Sequence, residues 1–419
     1  MNRFLSVIIL STLLAVSCKN GDTGADVEND IKTIDVAGGV GKGRVVQLSE
    51  IAESIEYIPL ETNHNSLIDK VSSSSLVFEN SKYYIRTRFE ESIFIFDSTG
   101  KFLFKFNRAG RGPEEYEYLA GFTVDPDGNI IIRSVEKYVL YDKEGNFIRV
   151  LADKNTFPEI KLDKCLPFGD DKYLFTTYLK RGVDNEYSAI LMDYKSNKVL
   201  KINYPYKERE FVKSLPLMYR YTFHEVFAVR SNEGILIYNG LDENILRVDR
   251  DFNIDTLFRI NFGKYHPRDI PGDVLARADV SSHIFRYVFP FESSRYIFDQ
   301  FKLGAAAHKP RIMLKHGAKS EDDIVTLDIS CSIFDKSTGE FLLVDQPVKN
   351  QIGFPDDFEG GPAVWPVYIS TCNHIVTSID AMNFITYSET HKVSEKFREI
   401  AGRLKETDNP VMILVKLKR

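Results

Sequence analysis

The chain has 419 residues, of which 27% are charged and 43% hydrophobic, and it carries a formal net charge of −6. This composition belongs to a globular protein rather than a disordered one, and the missing basic excess argues against nucleic acid as a partner. Aromatic residues reach 12%, with 30 Phe and 21 Tyr, which favours half-buried strand surfaces.

The amino terminus predicts an address. Met1-Asn2-Arg3 gives a positive start, and Phe4–Val16 is an almost unbroken apolar stretch. It is shorter than the roughly 20 residues of a membrane-spanning helix and fits the core of a secretory signal peptide. Ala15-Val16-Ser17 then leads into Cys18, the pattern of a bacterial lipobox. Residues 1–17 are therefore expected to be removed, leaving Cys18 to carry two or three acyl chains, enough for stable anchoring. The polar, Gly-, Asp- and Asn-rich residues 18–44 read as the lipidated cysteine and a flexible tether, with the folded domain spanning 45–419. Gly38–Arg44 (GGVGKGR) lacks the Ser or Thr that follows the lysine in a phosphate loop, so no nucleotide is expected. Cys165, Cys331 and Cys372 all lie in apolar, strand-like runs and are expected to be buried free thiols, with a Cys331–Cys372 bridge as the alternative.

From Val45 the pattern is β throughout. Val45–Leu48 and Ile55–Leu60 read as strands, and a repeat follows, clearest at Ile93–Phe106 (IFIFDSTGKFLFKF): strand, Asp-led turn closed by glycine, strand. Asp accepts hydrogen bonds from the turn backbone and Gly takes positive φ, which is hairpin chemistry. The recurring turn aspartates stand at 97, 142, 193, 249 and 335, in steps of 45, 51, 56 and 86. Those steps approach the about 40–50 residues of a four-stranded propeller blade, with an insertion swelling the last. The predicted fold is all-β: a six-bladed β-propeller of four-stranded blades, with seven blades as the rival count. The sixth unit holds only three strands of its own (Val364–Ser370, His374–Ile379 and Val411–Leu417), so Ile55–Leu60 is expected to supply the fourth and close the ring. Val393, Phe397, Ile400, Ala401 and Leu404 share one helical face, predicting a helical insertion over Ser388–Lys405.

Four segments carry a resemblance: IPLET at Ile58–Thr62, GRGPEEY at Gly110–Tyr116, PDDFEGGPAVWP at Pro355–Pro366 and NPVMILVKLK at Asn409–Lys418. Through them the chain resembles the six-bladed β-propeller lipoproteins of Bacteroidetes, which are distant relatives in shape of NHL-repeat propellers. The resemblance implies the fold and an envelope location, on either side of the outer membrane. It implies no catalytic residues.

Two connections stand out as candidate ligand-binding elements. Asn107–Tyr118 offers Arg108, Arg111, Glu114 and Tyr116 on a Gly-Pro frame, suited to carboxylates, phosphates or sugars. Pro355–Pro366 offers Asp356 and Asp357 ahead of Trp365, the only tryptophan. An aromatic platform beside carboxylates suits a glycan, and Ca²⁺ is the divalent ion such acids could hold. Both are equivalent connections of the repeat, so they are expected at one face. No HxH or HExxH pairs any of the eight histidines, and no GxSxG occurs. Asp125-Pro126-Asp127-Gly128 places its glycine wrongly for a calcium loop and reads as a turn. The leading expectation is a membrane-anchored, non-catalytic binding propeller for a glycan, peptide or outer-membrane protein, needing no cofactor. The rivals are a metal-dependent lactonase- or lyase-type enzyme and a structural subunit of an outer-membrane complex.

Overall fold

The computed structural model describes residues 31–419 except 69–70, 72–74, 88–89, 136, 178–185, 206–209, 211–225, 232, 240–241, 267–283, 287–289, 308, 310 and 316–322. The expected signal peptide, Cys18, the tether up to residue 30 and four histidines (224, 283, 308 and 316) lie outside the described residues.

Six sheets form the blades of a propeller, each joined in order from an inner strand to an outer one. The first runs Leu76–Glu79, Lys82–Arg86, Ile93–Asp97 and Phe102–Phe106; the second Gly121–Val124, Ile130–Arg133, Lys137–Tyr141 and Phe147–Asp153. The third comprises Leu162–Gly169, Lys172–Thr177, Tyr187–Asp193 and Lys198–Asn203, and the fourth Val226–Ser231, Gly234–Asn239, Asn244–Val248 and Ile254–Ile260. In the fifth, the inner strand is split into Phe285–Arg286 and Phe291–Glu292, both paired with Tyr296–Lys302, ahead of Ile329–Asp335 and Glu340–Val344. The pattern of burial explains the sequence. Ile93, Phe94, Ile95 and Phe96 are all buried because a middle strand is packed by a blade on each side, whereas the outer strand Phe102–Phe106 alternates.

The expected turns form. Asp97 Oδ1 accepts from Thr99 N at 2.9 Å and Lys101 N at 3.0 Å, and Asp142, Asp193, Asp249 and Asp335 cap their turns likewise. The hydrogen bond from the Thr99 hydroxyl helps to hold the Asp97 carboxyl below its usual range. Asp125 belongs to the same class, its Oδ1 accepting from Asp127 N and Asn129 N.

Ring closure is as expected. Ala52–Pro59 pairs antiparallel with Val411–Leu417, Ile55 opposite Val415, and becomes the outer strand of the sixth blade beside His374–Ile379 and Tyr368–Ile369. The strand then runs into the first blade, where Glu61 N donates to Gly100 O at 2.8 Å and Phe102 N donates to Glu61 Oε2 at 2.9 Å. Gly100 has φ +85°, and a Cβ there would stand 2.2 Å from Pro59 O. Gly100→Ala should therefore lower stability by roughly 1–3 kcal/mol from backbone strain alone, with the clash added. Gly339→Ala, at φ +76° with nothing within 4 Å of the added carbon, isolates the strain. Urea unfolding of both variants separates the terms, and equal losses would mean that Pro59 imposes nothing.

Four expectations are corrected. Residues 32–44 are not a tether: Lys32–Ile34 pairs in parallel with Phe258–Ile260 on the rim of the fourth blade, and Asp35 caps a short helix, Val36–Gly39. A Cβ at Gly39 would lie 2.7 Å from the Phe341 ring, so this glycine serves close packing on the fifth blade. Val45–Leu48 is no strand: Arg44 makes a single parallel bridge to Val344, and Leu48 begins the helix Leu48–Ile51. The helical insertion contains two helices, Ala381–Thr390 and Glu395–Ala401, because Ser394 starts a second one by accepting from Phe397 N at 3.1 Å. Cys165 and Cys331 are buried free thiols, but Cys372 is exposed, in the turn before His374–Ile379, and unbridged.

Candidate functional site

In each blade the inner and third strands run one way and the second and outer strands the other. Turns from inner to second strand therefore gather at one mouth of the channel. Connections from second to third strand, and from each outer strand to the next blade, leave the strands at their opposite ends. At the first mouth the links are short: 80–81, 170–171 and 370–373. At the second they are long, including 107–120, 303–328, 345–367 and 380–410. One of these carries its own hairpin, Arg311–Leu314 with Ile324–Leu327.

The two candidate connections both belong to the long-connection mouth, and their residues divide by burial. Arg108, Arg111 and Glu114 are exposed. Arg108 Nε donates to Gly145 O at 2.9 Å, while Tyr141 Oη donates to Glu114 O at 2.7 Å, so the loop is pinned to the second blade. Glu115, also exposed, folds back along the loop to accept from Gly112 N at 2.8 Å. Tyr116, by contrast, is 0% exposed: it packs on Phe106 and Tyr141, donates to Glu91 O at 2.5 Å, and burial pushes its phenol up to about 12. As placed it is a core residue and not a platform for a ligand.

The second connection is tied down even more. Asp356 is buried, its Oδ2 accepting from Tyr57 Oη at 2.7 Å and Gly361 N at 2.8 Å, and its Oδ1 from Phe358 N and Glu359 N. Asp357 is exposed and caps the helix Leu48–Ile51 by accepting from Ser49 N at 2.9 Å. Trp365 is 8% exposed and stacks on Phe354 at 5.7 Å and 22°, edge-on to Phe298. Its indole is packed inside the blade contact, so it presents no open face to a sugar. Residue type and a place in a loop do not distinguish a buried anchor, which Tyr116, Asp356 and Trp365 each are, from a displayed side chain.

The short-turn mouth holds what the residue pattern did not single out. Glu79 ends the inner strand of the first blade and Arg230 stands on the inner strand of the fourth, opposite it in a ring of six. Arg230 Nη2 donates to Glu79 Oε1 at 2.7 Å and its Nη1 to Val124 O of the second blade at 3.0 Å. Tyr368 Oη, of the sixth blade, also donates to Glu79 Oε1 at 2.7 Å, and Thr371 Oγ1 donates to Oε2 at 2.6 Å. A polar latch thus crosses the channel and joins four blades. Beside it, Lys336 Nζ donates to Glu292 Oε1 at 2.7 Å and to Ser293 O at 2.7 Å. The available signal was an acid at the end of an apolar strand, in LVFE and FPFE.

A cleft of about 300 Å³ opens between the second and third blades, lined by Asp125, Asp127, Asp170, Asp171, Arg149 and Lys195. Arg149 pairs with Asp171 and Lys195 with Asp170, which leaves Asp127 and Asp125, the latter accepting from its own turn backbone. Among the described residues no group of three or more His, Cys, Asp or Glu is placed to hold a metal ion, and no helix is long and apolar enough to cross a membrane.

The family described as a domain of unknown function, DUF4934, matches residues 31–416. No curated protein matches the chain. Among solved structures, the chain is similar to a candidate exported protein of Bacteroides fragilis at 15% identity and a TM-score of 0.61, over 92% of this chain and 100% of that one. A DUF4221 member from Bacteroides vulgatus has 11% identity and a TM-score of 0.46, over 88% and 97%. At such identities the first likeness speaks for the fold alone.

Proposed function

We propose that the chain, which belongs to the DUF4934 family, is an envelope lipoprotein anchored through Cys18. In this reading its long-connection mouth binds a glycan, peptide or partner protein without catalysing a reaction. The observation that carries the reading is the gathering of long connections at one mouth, while a side-chain latch crosses the other. Ligand-binding surfaces are built from loops displayed by a rigid scaffold, and here the scaffold is a closed ring. The exposed contributors are Arg108, Arg111, Glu114 and Asp357, beside exposed Tyr118 and Val135. Tyr116, Asp356 and Trp365 support the loops from within. The address rests on the signal-peptide pattern of residues 1–17 and the lipobox at Cys18, and it agrees with the exported character ascribed to the Bacteroides fragilis protein.

The test has two arms. Radiolabelled palmitate should enter the wild-type chain and not Cys18→Ala, which should appear in the soluble fraction. On a glycan and peptide array, wild type should give ligands whose binding Arg111→Ala/Glu114→Ala weakens about tenfold or more, a loss of ~1.4 kcal/mol, with unchanged unfolding. Binding that ignores both substitutions, or an array without hits, overturns the assignment of this mouth. Label retained by Cys18→Ala overturns the anchor.

A further inference from the structure

Among the described residues, one buried carboxylate oxygen is left without a hydrogen-bond partner, and it lies at the short-turn mouth. The Glu292 side chain is 1% exposed, its Oε1 is held by Lys336, and its Oε2 has no hydrogen-bond partner. It lines a cavity of about 30 Å³ together with Ser231, Ser293, Ser294, Ser370 and Asn373. A buried carboxylate oxygen without a donor is costly, and the two cations nearby are already engaged, Arg230 on Glu79 and Lys336 on Oε1. One water-sized group needs roughly 10–15 Å³ of such space, so the cavity can hold one. An ammonium group is small enough to enter such a space. An ammonium also brings three donors and a positive charge, matched by one carboxylate oxygen and a rim of hydroxyls.

We propose that the short-turn mouth receives the ammonium end of a lysine side chain from a peptide or protein partner. The site lies at the other end of the channel from the binding mouth proposed above and stands independently of it.

The expected pH dependence follows from the groups facing Glu292. Burial pushes its carboxyl up to about 7 against the pull of Lys336, and Glu233, from the turn of the fourth blade, pushes in the same direction. Tyr238 also faces it from the second strand of that blade, and Arg230 from the inner strand. The ammonium binds the ionised carboxylate. Affinity should therefore rise with pH through about 7 and level off above, until the amine loses its own proton near ~10.

Calorimetric titration of the full chain with butylammonium tests the site directly. Saturable binding is expected, about tenfold tighter near pH ~8 than near pH ~6 and at least tenfold weaker in Glu292→Gln. Ser231→Val, which fills the cavity and spares the acid, should abolish binding as well. Unfolding curves of both variants establish that they fold, so a loss of binding reports on the site. Equal binding of tetramethylammonium or potassium, or undiminished binding by Glu292→Gln, overturns the ammonium site. A lysine-containing tripeptide should bind as butylammonium does. Binding by glucosamine and not by the tripeptide would overturn the peptide assignment.

Discussion

Glu79→Ala is expected to destabilise the propeller by about 3–5 kcal/mol, the usual loss when one partner of a buried ion pair is removed. The Glu79 side chain is 3% exposed and that of Arg230 is 15% exposed, so the guanidinium left behind has little access to water. Tyr368 and Thr371 lose their acceptor at the same time. The cost arises from stranding these groups rather than from the intrinsic worth of the pair. The double variant Glu79→Ala/Arg230→Met should therefore regain most of the loss, because it removes the charge that was stranded. Chemical denaturation of wild type, both single variants and the double variant measures the coupling. Additive single losses would mean that Glu79 and Arg230 act separately, and the latch would not exist as a unit. The latch ties the first, second, fourth and sixth blades through inner-strand side chains, so its loss should also broaden the unfolding transition.

Tyr57→Ala should cost a comparable amount, about 3–5 kcal/mol for a buried aromatic truncated to alanine. Tyr57 lies on the clasp strand Ala52–Pro59, edge-on to Phe397 at 4.8 Å and Phe384 at 5.4 Å, and those two rings stack at 4.0 Å. One aromatic cluster thus joins the ring closure to the helical insertion. Burial beside Asp356 drives the Tyr57 phenol far above its ordinary range, so the hydroxyl remains a donor to that carboxylate. Tyr57→Phe keeps the ring and removes only this bond. Its expected cost is about 1–3 kcal/mol, less than that of Tyr57→Ala, because Asp356 loses one donor and keeps its backbone donors. Thermal unfolding of the two variants separates packing from hydrogen bonding. A Phe variant as unstable as the Ala variant would shift the weight from the aromatic cluster to the hydroxyl.

Both experiments bear on how the chain is used. Without a disulfide among its described cysteines, the ring relies on such non-covalent closures to keep its loops fixed. The clasp, the rim strand Lys32–Ile34 and the latch fasten the ring at its outer edge and at its axis. Loops held by a rigid ring lose less freedom when a ligand binds.

The blade is written in local turn chemistry. Asp97, Asp142, Asp193, Asp249 and Asp335 mark turns whose hydrogen bonds reach only two to four residues along the chain. Local chemistry of that kind is legible in order. The clasp is legible too, because a three-stranded sixth unit needs a strand from elsewhere and IEYIPL, directly ahead of the first unit, supplies it. Tertiary structure alone decided the rest. Lys32–Ile34 becomes a strand because the edge of the fourth blade offers it unpaired backbone groups, and nothing in KTI specifies that edge. Tyr116 and Trp365 look the same in sequence whether they face water or the core, and packing put them inside. Glu79 and Arg230 stand 151 positions apart, and only the closing of the ring brings that acid to that base. A contact between distant residues leaves no period in the chain, so the turns could be read from the sequence and the latch could not.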